Sequence, residues 1–122
     1  NMPQYASIIE HADDARTRIQ EVEYHEIDHP GINGTVYLDV RGADEFNSGH
    51  INGALHLPWV DIEAKAEGLI PKKETPIVTY CAVGHRSAIA ADYLQALGYT
   101  AVISIKGGLQ AVGEGTALAL VA

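Results

Sequence analysis

The stretch Ile77-Val78-Thr79-Tyr80-Cys81-Ala82-Val83-Gly84-His85-Arg86-Ser87 constrains this chain more than any other part of it. A short apolar, β-branched run ends on the only cysteine, small and polar residues follow, and Ala88 to Leu97 then reads as an amphipathic helix. The thiol therefore sits where a strand stops and a helix begins. Backbone N–H groups at a helix N-terminus lack intrahelical partners and carry partial positive charge. A sulfur held there is favoured as the thiolate, the form that attacks electrophiles, and a bound anion is favoured for the same reason. Gly84 permits a positive φ in so short a loop, and Arg86 or a protonated His85 adds positive charge. Many free cysteines are inert core residues. The Gly, His and Arg beside this one have no evident core role, which points to chemistry.

At 122 residues the chain is long enough for a hydrophobic core without staples. One cysteine makes neither an internal disulfide nor a cysteine-rich metal cluster, so the expected setting is a reducing one, the cytoplasm. The net charge of −8 argues against nucleic acid and anionic membrane surfaces as partners. It leaves room for a small anion held by a local nest of N–H groups. No apolar stretch approaches membrane-spanning length. The opening Asn1-Met2-Pro3-Gln4-Tyr5 has no basic region followed by an apolar run, so no signal peptide is expected, and Met2 reads as the native first residue.

Along the chain, Ser7 to Arg18 is a polar, acidic helix candidate with Ile8, Ile9, Ala12, Ala15 and Ile19 at helical spacing, expected to pack across the outside of the domain. Ile19 to Val22 is a short strand candidate. Tyr24 to His29 reads as a helical turn stopped by Pro30-Gly31, with a further turn at Asn33-Gly34. Thr35 to Val40 is the first clear strand, near-continuous in apolar character as a buried parallel strand is. A short helix over Ala43 to Ser48, a strand over Ala54 to Leu57 and a helix over Asp61 to Glu67 with Gly68 past its end come next. The cysteine strand, its helix stopping at Gly98, a last strand over Ala101 to Ile105 and a final helix after Gly107-Gly108 complete the pattern. Strands alternating with helices at this spacing imply an α/β domain with a mostly parallel sheet, in which sites form at the carboxyl ends of strands.

Several pieces resemble the rhodanese family and occur in its order: Leu38-Asp39-Val40-Arg41, Glu45-Phe46, Gly49-His50-Ile51-Asn52-Gly53-Ala54, Pro58, Cys81-x-x-Gly84-x-Arg86-Ser87, Leu97-Gly98-Tyr99 and Gly107-Gly108. Each alone is weak; together, in register over Ile19 to Val112, they are specific. The resemblance implies a rhodanese-like α/β fold, a five-stranded mostly parallel sheet in order 1-5-4-2-3 with helices on both faces. Residues 1–18 are then an N-terminal helical extension and 19–122 the single rhodanese-like domain. It also implies a sulfurtransferase in which Cys81 takes a sulfane sulfur from a small sulfur-containing anion such as thiosulfate, as a persulfide. The sulfur then passes to cyanide, a thiol or a protein acceptor, with no cofactor and no metal. After Gly108 the chain departs from the family, with Val112 where a tryptophan is usual and an apolar Ala117 to Ala122 in place of a Gly-Pro-containing tail.

Within that reading Ala82, Val83, Gly84, His85, Arg86 and Ser87 form the substrate loop, whose N–H groups stabilise the outer sulfur as an oxyanion hole stabilises oxygen. Arg86 either grips the sulfonate end of thiosulfate through its planar fork or folds back to brace the loop. The Ser87 hydroxyl is placed to reach the Cys81 sulfur. Asp39 is expected to hydrogen-bond the loop amides from behind, and Arg41 to pair with Glu45 four residues on. His50 has structural duty in a tight turn. His25-Glu26-Ile27-Asp28-His29 matches the zinc-protease pattern H-E-x-x-H, but Pro30-Gly31 ends the segment too soon for a helix holding both imidazoles. Two other functions fit the same fold: a protein-partner sulfur-relay or binding module, and phosphatase or arsenate reductase chemistry. The second needs C-x5-R, which puts the arginine at 87; it stands at 86, the shorter spacing.

Overall fold

The computed structural model of the protein describes residues 4–27, 34–112 and 120–121. The chain opens with α1 (Ile8–Arg16), β1 (Glu21–Val22) and a 3-10 turn at Tyr24–Glu26. It continues through β2 (Val36–Asp39), α2 (Ala43–Ser48), β3 (His50–Ile51) and β4 (Leu55–His56). A second 3-10 turn at Trp59–Asp61 leads into α3 (Ile62–Leu69), then β5 (Ile77–Tyr80), α4 (His85–Ala96), β6 (Val102–Ile105), α5 (Gly108–Val112) and β7 (Leu120–Val121). The sheet runs β1-β6-β5-β2-β4, all parallel, which is 1-5-4-2-3 when only its own strands are counted. The expected turn around Pro30-Gly31 and Asn33 lies outside the described residues.

Alternate residues of the central strands feed two cores, as strand geometry demands. Leu38, Ile77 and Val102 pack with Ile62 and Ala66 of α3 and with Ala90, Ala91 and Leu94 of α4. Tyr37, Val78, Tyr80 and Ile105 face the other way, onto Ile51 and onto Leu109 and Val112 of α5. Helix α4 is more than amphipathic. Its Ala88 and Ile89 bury against Ala12 and Ala15 of α1, so it is sandwiched between the sheet and another helix. Small side chains let the two helices approach closely, and this selects the packed face of α1. Ala12 and Ala15 are fully buried, whereas Ile8 and Ile9, which share the helical spacing, stay exposed. Ser7 caps α1 by accepting from the Glu10 N–H at 3.1 Å.

Other expectations shift at element ends. Gly68 lies inside α3 rather than past it: the helix runs to Leu69, and the Ile70 N–H closes on the Ala66 carbonyl at 2.7 Å. The chain end, whose packing the sequence does not specify, returns as β7 antiparallel to β3, with His50 opposite Val121 and Ile51 opposite Leu120.

Candidate active site

Strand β5 ends at Tyr80, so Cys81 is the first residue of the turn into α4, at the carboxyl edge of the sheet. Two constraints shape the loop around the sulfur. On the far side, the carbonyls of Cys81 and Ala82 accept from the N–H groups of Leu109 and Gln110 in α5, at 2.9 and 3.0 Å. This requires glycine at 108, where φ is +62° and a Cβ would stand 2.5 Å from the Cys81 oxygen. On the near side, Gly84 caps α4 in the left-handed region at φ +100°. The Cys81 Sγ, fully buried, accepts from the N–H of Gly84 at 3.1 Å and of Ser87 at 3.3 Å, and Ser87 Oγ lies 3.4 Å from it. The N–H groups of Ala82, Val83, His85 and Arg86 have no acceptor among the described residues.

Beneath the loop is a buried hydroxyl cluster that the sequence reading misses. Ser104 Oγ donates to Ser87 Oγ at 2.8 Å, and Thr79 Oγ1 donates to the Ser87 carbonyl at 2.9 Å. Thr79 and Ser104 face each other in register across β5 and β6, and Thr79 shares the Cys81 face of its strand. The available signal was that each interrupts an otherwise apolar buried strand, and buried hydroxyls need partners.

The charged residues pair differently from the sequence expectation. Asp39, fully buried, takes no loop amide. Its carboxylate accepts from Arg41 instead, from the backbone N–H and Nε at 3.0 Å and from Nη2 at 2.8 Å. Arg41 also donates to the Gly49 carbonyl at 2.6 Å. Glu45, expected on Arg41, binds Arg86 in a two-pronged pair at 2.7 and 2.9 Å. The i,i+4 rule fails because α2 starts at Ala43, leaving Arg41 outside the helix, and because a buried carboxylate claims the nearest cation. Arg86 holds the Glu45 carboxyl down at about 2, and Glu45 also accepts from the Gly42 N–H at 3.2 Å. Burial pushes the Tyr80 phenol up, with Asp39 adding to the shift, while its oxygen accepts from the Ile51 N–H at 3.1 Å.

His85 is half-buried at the start of α4, and its Nδ1 lies 3.1 Å from Arg16 Nη2 of α1. Val83 is exposed at the loop's crest. His50 bonds the Phe46 carbonyl at 2.8 Å and stacks on the Phe46 ring. Glu23, His25 and Glu26 form an exposed cluster around a three-residue 3-10 turn, and His29 lies outside the described residues. A cavity of about 750 Å³ opens at the opposite, amino edge of the sheet, between Thr35, Pro76 and Ala101, away from the thiol.

A parallel α/β sheet carrying one buried thiol at its carboxyl edge, with two amides of the following turn donating to its sulfur, defines the class: an α/β protein with a cysteine at a strand-to-helix turn. The rhodanese-like domain family matches residues 13–114, and the chain belongs to it. It is similar to the thiosulfate sulfurtransferase GlpE of Tolumonas auensis, 36% identical over 72 residues, 59% of this chain and 66% of that one. It is similar also to the thiosulfate sulfurtransferase PspE of Escherichia coli, 30% identical over 61% of this chain and 70% of that one. Among solved structures, a Rhodopseudomonas palustris protein of unknown function, described as a possible tyrosine phosphatase, superposes with a TM-score of 0.72 at 28% identity. That match covers 91% of this chain and 93% of the other. The family and these relatives make the chain an enzyme of the rhodanese sulfurtransferase type.

Proposed function

We propose that Cys81 carries sulfur as a persulfide. Its thiolate attacks the outer sulfur of thiosulfate, the bond between the two donor sulfurs breaks, and sulfite leaves with the electron pair. A cyanide or thiolate acceptor then attacks the outer sulfur of the persulfide and Cys81 leaves as thiolate. The observation that carries this reading is the pair of loop amides, of Gly84 and Ser87, that donate to Sγ, in a loop where four more N–H groups have no acceptor among the described residues. Fixed N–H donors stabilise the anionic outer sulfur without reorganising as charge builds. In this reading Arg86 is a brace, because both its Nη groups are engaged by Glu45, and Asp39 with Arg41 supports the strand end behind the loop.

Two features favour a protein as donor or acceptor beside small molecules. The loop crest is apolar, with Val83 44% exposed, and the Arg86 charge is already matched. Phosphatase chemistry, suggested for the Rhodopseudomonas protein, fits this chain less well, since the shorter C-x4-R spacing narrows the cradle. A lone thiol favours a cytoplasmic setting; no helix among the described residues is long and apolar enough to cross a membrane. We take residues 19–122 as the catalytic domain and 1–18 as an extension of it.

The test is intact-protein mass spectrometry after exposure to thiosulfate. One added sulfur, removable by reductant and absent from Cys81→Ser, is expected; an unmodified wild type refutes the persulfide.

A further inference from the structure

Helix α1 does more than cover α4. Its Arg16 sends Nη2 to the Gly84 carbonyl at 3.2 Å and to His85 Nδ1 at 3.1 Å. The rest of the guanidinium is fixed by Asp13, at 2.8 Å from Nη1, and Glu21, at 3.0 Å from Nε. Arg16 therefore touches the catalytic loop from a helix that precedes the first strand of the sheet.

The Gly84 carbonyl is where this contact matters. It accepts from Arg16, from the Ala88 N–H at 3.3 Å and from Ser87 Oγ at 3.3 Å. The Ser87 hydroxyl has one hydrogen and two nearby acceptors once Cys81 ionises: the Gly84 carbonyl and the sulfur, 3.4 Å away. Ser104 donates to Ser87 Oγ and so cannot be its acceptor. When the thiol is protonated, it donates to Ser87 and Ser87 donates to Gly84. When the sulfur is anionic, the hydroxyl hydrogen is worth more on sulfur, because hydrogen bonds to charged groups are the stronger ones. That rotation withdraws a donor from a buried carbonyl. The Ala88 N–H still serves one lone pair of that oxygen, and Arg16 keeps the second one satisfied.

We propose that Arg16 is a positioning residue for the sulfur chemistry of Cys81: by holding the Gly84 carbonyl it releases the Ser87 hydroxyl to the ionised sulfur. The inference rests on the persulfide reading above. The same contact leaves a mark independent of turnover. A guanidinium only donates, so His85 Nδ1 accepts, and the ring hydrogen of neutral His85 sits on Nε2.

Single-turnover persulfide formation from thiosulfate, measured by rapid quench and mass spectrometry, tests the coupling in wild type, Arg16→Ala, Ser87→Ala and the double variant. Arg16→Ala is expected to slow the step about five- to tenfold in the wild-type background and less than about twofold when Ser87 is absent. Equal slowing in both backgrounds overturns the proposal, since a structural role would act regardless of Ser87. Ring-nitrogen NMR supplies the second reading. In wild type, His85 is expected as the Nε2–H tautomer, with the two tautomers mixing in Arg16→Ala or in Arg16→Gln should the alanine variant not fold. A wild-type ring protonated on Nδ1 overturns the contact itself. A wild type showing the Nε2–H tautomer yet never gaining sulfur overturns the persulfide reading instead, so the two failures are distinct.

Discussion

Gly108→Ala is the substitution whose cost the structure specifies most closely. Residue 108 sits at φ +62°, a conformation costing a side-chain-bearing residue about 1 kcal/mol. Its new Cβ would stand 2.5 Å from the Cys81 oxygen and 2.6 Å from the Ala82 carbonyl carbon and oxygen, all backbone atoms that cannot swing aside. Ordinary contact begins near 3.4 Å, so α5 and the loop must separate by roughly 0.9 Å. That separation breaks the bonds from Leu109 and Gln110 to the two loop carbonyls, now 2.9 and 3.0 Å, at about 1 kcal/mol each. The total is about 3 kcal/mol, a fall in melting temperature of about 10 °C for a domain of this size. Function is expected to suffer more, since the Gly84 and Ser87 amides lose their aim at the sulfur; losing one donor of this kind costs about a hundredfold or more in rate. Gly53→Ala is the matched control. Its φ is +84° with no atom within 4 Å of the added Cβ, so it isolates the backbone cost of about 1 kcal/mol. Thermal unfolding by circular dichroism and single-turnover sulfur transfer are the assays. A Gly108→Ala protein as stable as Gly53→Ala, with sulfur transfer within tenfold of wild type, refutes the clamp of α5 on the loop.

The ion pair at the loop yields two more expectations. Arg86→Ala is expected to lower stability by about 1 kcal/mol, the scale of a partly exposed pair, and to leave the Michaelis constant for thiosulfate unchanged; a selective rise in that constant returns Arg86 to the role of substrate ligand. Glu45 has its carboxyl lowered from 4.5 to about 2, so its contribution is full above about pH 4.5 and drains away as pH falls toward 2. In acid titrations followed by thermal melting, wild type should lose about 1 kcal/mol more than Glu45→Gln across that window, and parallel curves would contradict the pair. Finally, wild type is expected to leave an aryl phosphate intact while taking sulfur from thiosulfate. Phosphate hydrolysis lost on Cys81→Ser would sink the argument that loop length selects sulfur.

Local patterns carried the strand and helix order, because buried parallel strands and glycine stops are written in consecutive residues. Ala43 to Ser48 and the cysteine at the end of its strand are legible on that basis alone. Pairings across the fold are not. Arg41 and Glu45 stand four apart, yet the helix that would bring them together starts between them, and each finds a partner elsewhere: Asp39 two residues back, and Arg86 forty-one residues on. Arg16 is invisible for the same reason, since nothing in an acidic helix candidate shows that its one inward guanidinium meets a loop sixty-eight residues away. Thr79 and Ser104 were the exception. Their polarity in apolar strands was readable, and only the register that joins them was missing.

The charges around the thiol are balanced in a way that bears on how the sulfur is stabilised. Arg16 is matched by Asp13 and Glu21, Arg18 by Asp14 and Asp92, Arg41 by Asp39, and Arg86 by Glu45, so every arginine of the chain is paired. Three of these guanidiniums converge on the loop or its supports as struts, each fixed by carboxylates. In the persulfide reading proposed above, the donors at Sγ are oriented peptide groups: the Gly84 and Ser87 N–H groups at the first turn of α4. Peptide dipoles carry no net charge, so in that reading an anionic sulfur is compatible with a protein of net charge −8 whose arginines are all paired. They are also directional, useful only while the loop keeps its shape. This explains why the loop is held from three sides, by α5 at the Cys81 and Ala82 carbonyls, by Glu45 at Arg86 and by α1 at Gly84.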